Sequence, residues 1–218
     1  MKKIMGITAC FLMLFSLINI CSATYLGGTS YGYVEKFNYG NKSSNDTIAI
    51  ITGVHPQENG LHTAVSNAVS KGSSIETKNY TVYKVHVTQS QDDYNVGRMN
   101  GQLLAQQFIV PDVIKSKPKL VVDIHENHYI RSGYAYPRFI YPISNGTLTK
   151  NYTETIVAKM PFLKIYTPPN PTSTKYVTIP ISNAGIPTTI YETYAYDSVS
   201  KKTHDANLFV DTIDKMKL

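Results

Sequence analysis

Four side chains, His55, Glu58, His125 and Glu192, are of types that together could hold a divalent cation and move a proton beside it. The first two lie in Gly53-Val54-His55-Pro56-Gln57-Glu58-Asn59-Gly60, where an apolar run ends and a helical pattern is about to begin. Ligands gather at that end of a sheet in α/β proteins. With a helix starting at Pro56, a favoured first position for proline, an imidazole from the loop and a carboxylate from the first turn converge on one ion. The pattern His-x-x-Glu alone is common and carries little weight. The third candidate closes Val121-Val122-Asp123-Ile124-His125, a second apolar run that delivers a histidine to the same sheet edge. Two imidazoles and one carboxylate leave a fourth position for water, the ligand set of a catalytic rather than a structural zinc site. Asp123 points to the same side of its strand as His125; it fits a partner to a ligand histidine and a cap to the following loop equally well. Glu192 ends Gly185-Ile186-Pro187-Thr188-Thr189-Ile190-Tyr191-Glu192 and is placed to act as general base toward metal-bound water. Taken alone, an exposed glutamate ending an edge strand is its plainer reading.

These residues need a scaffold that brings three strand ends together. Thr47–Val54 and Lys119–Ile124 are short β-branched runs, as expected of buried central strands. Tyr80–Val87 alternates as a strand, and Phe139–Pro142, Leu163–Thr167 and Pro187–Tyr191 are further strand candidates. Helical spacing covers Asn59–Lys71, Asn100–Val110, where Pro111 is expected to stop the helix, and His204–Lys215. Continuous apolar strands alternating with helices predict a single three-layer α/β/α domain with a mixed central sheet over residues 47–218. Residues 24–46, rich in Gly, Ser, Asn and Tyr, read as an irregular N-terminal segment, and no repeats or low-complexity tracts are visible.

In joint order, from His55 to Thr193, the three motifs resemble the zinc carboxypeptidase superfamily, including its succinylglutamate desuccinylase/aspartoacylase branch. The resemblance implies a phosphorylase/hydrolase-like zinc carboxypeptidase fold. It also implies Zn2+ held by His55, Glu58 and His125, with Glu192 as catalytic base. Many members use an Asn-Arg pair to hold a substrate carboxylate and the developing oxyanion. Here the region reads Asp93-Tyr94-Asn95-Val96-Gly97-Arg98-Met99-Asn100. Arg98 is the first candidate, with Asn95 or Asn100 beside it, and Arg131 and Arg138 are alternatives. Tyr176 fits the place of a tyrosine on a loop before the catalytic glutamate, although 17 tyrosines make such a match easy. Glu126 and His128 could line the cleft entrance, whereas His62, His86 and His204 read as surface or packing residues. The spacing from Glu58 to His125 is short for the superfamily, so the substrate pocket is trimmed.

Residues 1–23 show a charged start, an apolar run from Ile4 to Ile20 and a small-residue end at Cys21-Ser22-Ala23. That layout is expected of a signal peptide or, given the length of the run, an uncleaved membrane anchor. Both cysteines, Cys10 and Cys21, fall inside it, so the remainder, about 195 residues, must be held by core packing without disulfides. Asn41, Asn45, Asn79, Asn145 and Asn151 head glycosylation triplets. Lys2 and Lys3 supply two of the six net positive charges, and the rest are scattered, which argues against nucleic acid as a partner. The resulting expectation is a secreted or surface-tethered, monomeric metallohydrolase of amide bonds, a carboxypeptidase or peptide amidase acting on peptides such as those of a cell wall. The alternatives are a deacylase of N-acyl amino acids and a non-catalytic surface binding module on the same fold.

Overall fold

A computed structural model of the chain describes residues 23–71, 77–144 and 146–218. The expected leader, apart from Ala23, and Asn145 lie outside the described residues.

Strands β1 (Thr24–Thr29), β2 (Gly32–Gly40), β3 (Thr47–Thr52), β4 (Asn79–Val87), β5 (Leu120–Asn127), β6 (Phe139–Pro142), β7 (Lys164–Ile165) and β8 (Thr188–Tyr194) form one mixed sheet in the order β1-β2-β4-β3-β5-β8-β6-β7. Its centre, β4-β3-β5-β8, is parallel, and β2 and β6 add antiparallel on either side. Because side chains alternate along a strand, Ile48 and Ile50 of β3 enter one core while Ala49 and Ile51 enter the other. Helices α1 (Asn59–Lys71), α4 (Thr147–Lys159) and α6 (Val199–Lys215) cover the first face through Leu61, Val65, Ile156 and Phe209. Helices α2 (Tyr94–Leu104), α3 (Val110–Ser116) and α5 (Thr178–Asn183) cover the second through Leu104, Val113 and Ile181. Burial on both faces explains why β3 and β5 read as unbroken apolar runs. The architecture is the single three-layer α/β/α domain expected. Among the described residues no helix is long and apolar enough to cross a membrane.

Two expectations are corrected. Residues 24–46 are not irregular: β1 and β2 form an antiparallel hairpin, and β2 ladders onto β4 from Gly32↔Val87 to Gly40↔Asn79. This hairpin buries little apolar surface of its own, Val34 being its fully buried hydrophobic residue, so its partner β4 rather than a local pattern makes it a strand pair. Nor does Pro111 stop a helix. The helical path runs from Tyr94 to Ser116 through a π turn at Ala105–Ile109. There Val110 N–H bonds back to the Ala105 carbonyl. That wider turn opens the backbone just before a residue that has no N–H and whose ring would crowd the preceding turn, and Pro111 becomes an early residue of α3.

Helix α2 lies unusually close to the segment that carries His55, since a Cβ on Gly101 would sit 2.0 Å from the Val54 carbonyl oxygen. Alanine at this helical position would gain about 1 kcal/mol from propensity, but the backbone collision outweighs it. Gly101→Ala is expected to lower stability by about 2–3 kcal/mol in urea unfolding; a variant more stable than the parent would show that the close approach is not required.

Candidate metal centre

The site is assembled where β3 and β5 end. Gly53 follows β3 with φ +82, and a Cβ there would meet the Val85 carbonyl oxygen at 2.2 Å. Glycine therefore permits the turn that sends the chain out of the sheet. Glu58 N–H donates to the His55 carbonyl at 3.1 Å, and α1 starts only at Asn59. The helix therefore starts at Asn59, as its spacing predicts, and not at Pro56: a turn, not the first helical turn, brings His55 and Glu58 together. His125 and Glu192 lie inside β5 and β8, which both run further than expected, and they are register partners across that parallel pair.

His55, Glu58 and His125 converge. The Nδ1 of His55 is 2.8 Å from Glu58 Oε1, and the Nδ1 of His125 is 2.7 Å from Glu58 Oε2. Side-chain exposures are 4%, 8% and 4%, and their potential ligand atoms all lie within 4.8 Å of one another. Two imidazoles turning the same ring nitrogen toward one buried carboxylate fit a divalent cation of zinc type. The far nitrogens are also occupied, as in a well-supported metal site: His55 Nε2 lies 3.0 Å from the Gln102 amide, and His125 Nε2 lies 3.0 Å from Asp123 and 3.4 Å from Ser173 Oγ. Rotating the Gln102 amide presents its oxygen instead, the orientation that suits a His55 ligating through Nδ1.

The other candidates divide clearly. Glu192, 7% exposed, and Arg98 line the same cleft, which encloses about 470 Å³ with open solvent included, together with Tyr94, Tyr134 and Thr172. The Arg98 guanidinium donates to Glu58 Oε1 at 2.7 Å and to Thr172 at 3.2 Å, and it lies 4.9 Å from the Tyr94 ring centre. Asn95 and Tyr176 border an adjoining chamber on the other side of Arg98. Three other candidates are not among the residues that line the cleft. Asn100 donates to the Gln89 carbonyl at 3.1 Å, away from the cleft. Arg131 is exposed on the 3-10 turn Tyr129–Ser132. Arg138 is engaged in a two-point pair with Asp197. Asn100 and Arg138 have groups of the right type but partners elsewhere, and Arg131 faces solvent. His128 and Glu126 do border the cleft, yet the Glu126 carboxylate is 2.5 Å from Lys202 and accepts Leu61 N–H at 3.0 Å, which ties β5 to α1 and α6. Gln102, Thr172 and Ser173 were missed; the signal for Gln102 is its place one turn after Arg98 on the same helix face.

Burial sets the electrostatics. It pushes His55 down to about 4, with Glu58 only partly offsetting. For His125 burial pulls the same way, but the Asp123 and Glu58 carboxylates outweigh it and hold the imidazole well above its ordinary value. Glu58 would be raised by burial, yet the His55 and His125 imidazoles keep it well below the usual carboxylate range. Glu192 is pushed up to about 8 by burial, against the pull of His125.

The fold is shared with several solved structures at low sequence identity. The chain is similar to a metallo-carboxypeptidase from Burkholderia cenocepacia at TM-score 0.60 and 10% identity, covering 91% of this chain and 65% of that one. It is similar to the tripeptide-bound cell shape determinant Csd4 of Helicobacter pylori at TM-score 0.53 and 10% identity, covering 83% and 53%. A succinylglutamate desuccinylase/aspartoacylase from Rhodobacter sphaeroides gives TM-score 0.56 and 14% identity, covering 83% and 57%. The chain thus spans just under two thirds of the first of these structures and little more than half of the others. No protein-family model matches the sequence, and no curated protein matches it significantly.

Because the Asp123 and Glu58 carboxylates outweigh burial and hold the His125 imidazole well above its ordinary value, binding a cation through its Nδ1 displaces a proton. Apparent zinc affinity, measured by chelator competition, is expected to rise about tenfold per pH unit between pH 6 and 8. The metal-free fold should change in the opposite sense. The raised values of His125 and Glu192 contribute stability below their unfolded values that is lost as pH rises toward their folded ones. Zinc affinity independent of pH over that range would contradict the assignment.

Proposed function

We propose that the chain is an exported zinc-dependent hydrolase of amide bonds, most simply a metallocarboxypeptidase or peptide amidase acting on peptides such as those of a cell wall. The observation that carries this is the buried meeting of His55, Glu58 and His125 on one edge of the sheet, with Glu192 paired to His125 in the next strand. Those three residues would hold the metal, which when bound supplies Lewis acidity toward a carbonyl and acidifies its water. Glu192 accepts a proton and returns it to the leaving nitrogen. Burial, which pushes Glu192 up to about 8 in the metal-free site, suits a group that must both take and give a proton. Arg98 faces the reacting centre with a fork of donors suited to an oxyanion or a substrate carboxylate. Its present bond to Glu58 keeps it oriented there.

Export rests on the leader-like residues 1–23. A peptide substrate is supported by the tripeptide-bound neighbour and by the cleft, whose lining mixes Arg98, Glu192 and tyrosines. The likeness to a desuccinylase/aspartoacylase keeps deacylation of N-acyl amino acids as a second reading.

Glu192→Gln is expected to retain one zinc per chain while turnover falls about 10²–10⁴-fold. Purified zinc protein, incubated with wall-derived peptides, ordinary peptides and N-acyl amino acids and read by mass, should release amino acids or peptides from the first two sets. Cleavage confined to N-acyl amino acids would favour the second reading, and unchanged hydrolysis in Glu192→Gln would remove Glu192 from its role.

A further inference from the structure

His62 stands on α1, four residues after Glu58, and is 5% exposed. Its ring is not among the cleft-lining groups; instead it spans two pieces of backbone. The Gly53 N–H donates to Nδ1 at 3.3 Å, and Nε2 lies 2.7 Å from the Ile124 carbonyl oxygen, to which it donates. Gly53 precedes His55 by two residues, and Ile124 immediately precedes His125. The ring therefore ties together the two segments that carry the imidazoles of the candidate centre.

The location matters because the sheet no longer does this work there. The β3–β5 ladder runs from Ile48↔Leu120 to Ile51↔Asp123 and stops. Beyond it β3 turns out at Gly53 while β5 continues through His125. One imidazole bridges the gap that opens, and its ring also meets that of His125 edge-on, with centroids 6.4 Å apart. Both bonds are satisfied together by one neutral tautomer, with hydrogen on Nε2 and a lone pair on Nδ1. A packing residue on this apolar helix face needs neither bond, and leucine or phenylalanine would fill the volume.

We propose that His62 is a positioning residue that sets the separation of His55 and His125 by clamping the strand ends on which they ride. This rests on the assignment of those two residues as metal ligands. A fixed separation keeps the site ready for the cation, so the cation need not itself pull the two backbones into place.

The test compares the whole chain with His62→Phe, which keeps the ring volume without its bonds, and His62→Gln, whose amide reaches the Nε2 position and returns the bond to Ile124. Zinc affinity is measured by chelator competition and thermal unfolding on the metal-free proteins. His62→Phe is expected to bind zinc about 10–100-fold more weakly, with His62→Gln recovering part of the loss. In the metal-free parent, nitrogen-15 spectra of His62 are expected to show a protonated Nε2 and a bare Nδ1, a readout that stands even where a variant fails to fold. A His62→Phe protein that melts earlier yet binds zinc as tightly as the parent would overturn the clamp, as would the reverse tautomer. A parent that takes up no zinc would instead overturn the metal-centre reading, and the clamp with it.

Discussion

A single buried carboxylate is the group around which the rest of the structure is arranged. Glu58 Oε1 meets His55 Nδ1 and the Arg98 guanidinium, and Oε2 meets His125 Nδ1 and the backbone N–H of Glu126. Ionised and unpaired at this depth, such a group would cost several kcal/mol. Four donors, delivered by three elements of the chain, remove that cost. The turn after β3 supplies one, α2 a second, and β5 the remaining two. Removing any of these elements strands the charge.

Delivery depends on register. Because β5 pairs in parallel with both β3 and β8, the same sheet edge receives His55, His125 and Glu192. A slip of one residue in β8 would turn Glu192 to the opposite face of the sheet. The apolar sequences of β3 and β5, buried on both sides, hold that register against slippage. On the outer side α2 is allowed in by Gly101, so that Arg98 and Gln102, one turn apart, reach the carboxylate and the His55 ring. The clamp at His62 completes the arrangement from α1.

Much of this was legible in the order of residues. β6 and α1 fall where periodicity places them, and β3, β4 and β5 within a few residues, because each has a two-sided or one-sided apolar pattern that local composition reveals. The convergence of His55, Glu58 and His125 was legible for the same reason, since they sit where such patterns stop. The hairpin β1–β2 was not, because its strands are defined by partners in β4 rather than by their own alternation. Pro111 misled because a π turn, invisible to a hydrophobic period, absorbs it. Arg131, Arg138 and Asn100 have the right chemistry, but solvent, Asp197 and the Gln89 carbonyl claim them, and only tertiary contacts reveal that. His62 was set aside as a packing residue because nothing in its neighbourhood along the chain announces two backbone partners at Gly53 and Ile124.

The most direct measurement is anomalous diffraction at the zinc edge from crystals equilibrated with micromolar zinc. One strong peak is expected, about 2.0–2.2 Å from a ring nitrogen of His55, a ring nitrogen of His125 and a carboxylate oxygen of Glu58, with the Glu192 carboxylate facing its open side. A peak bound elsewhere, or no ordered zinc at that concentration, would contradict the account.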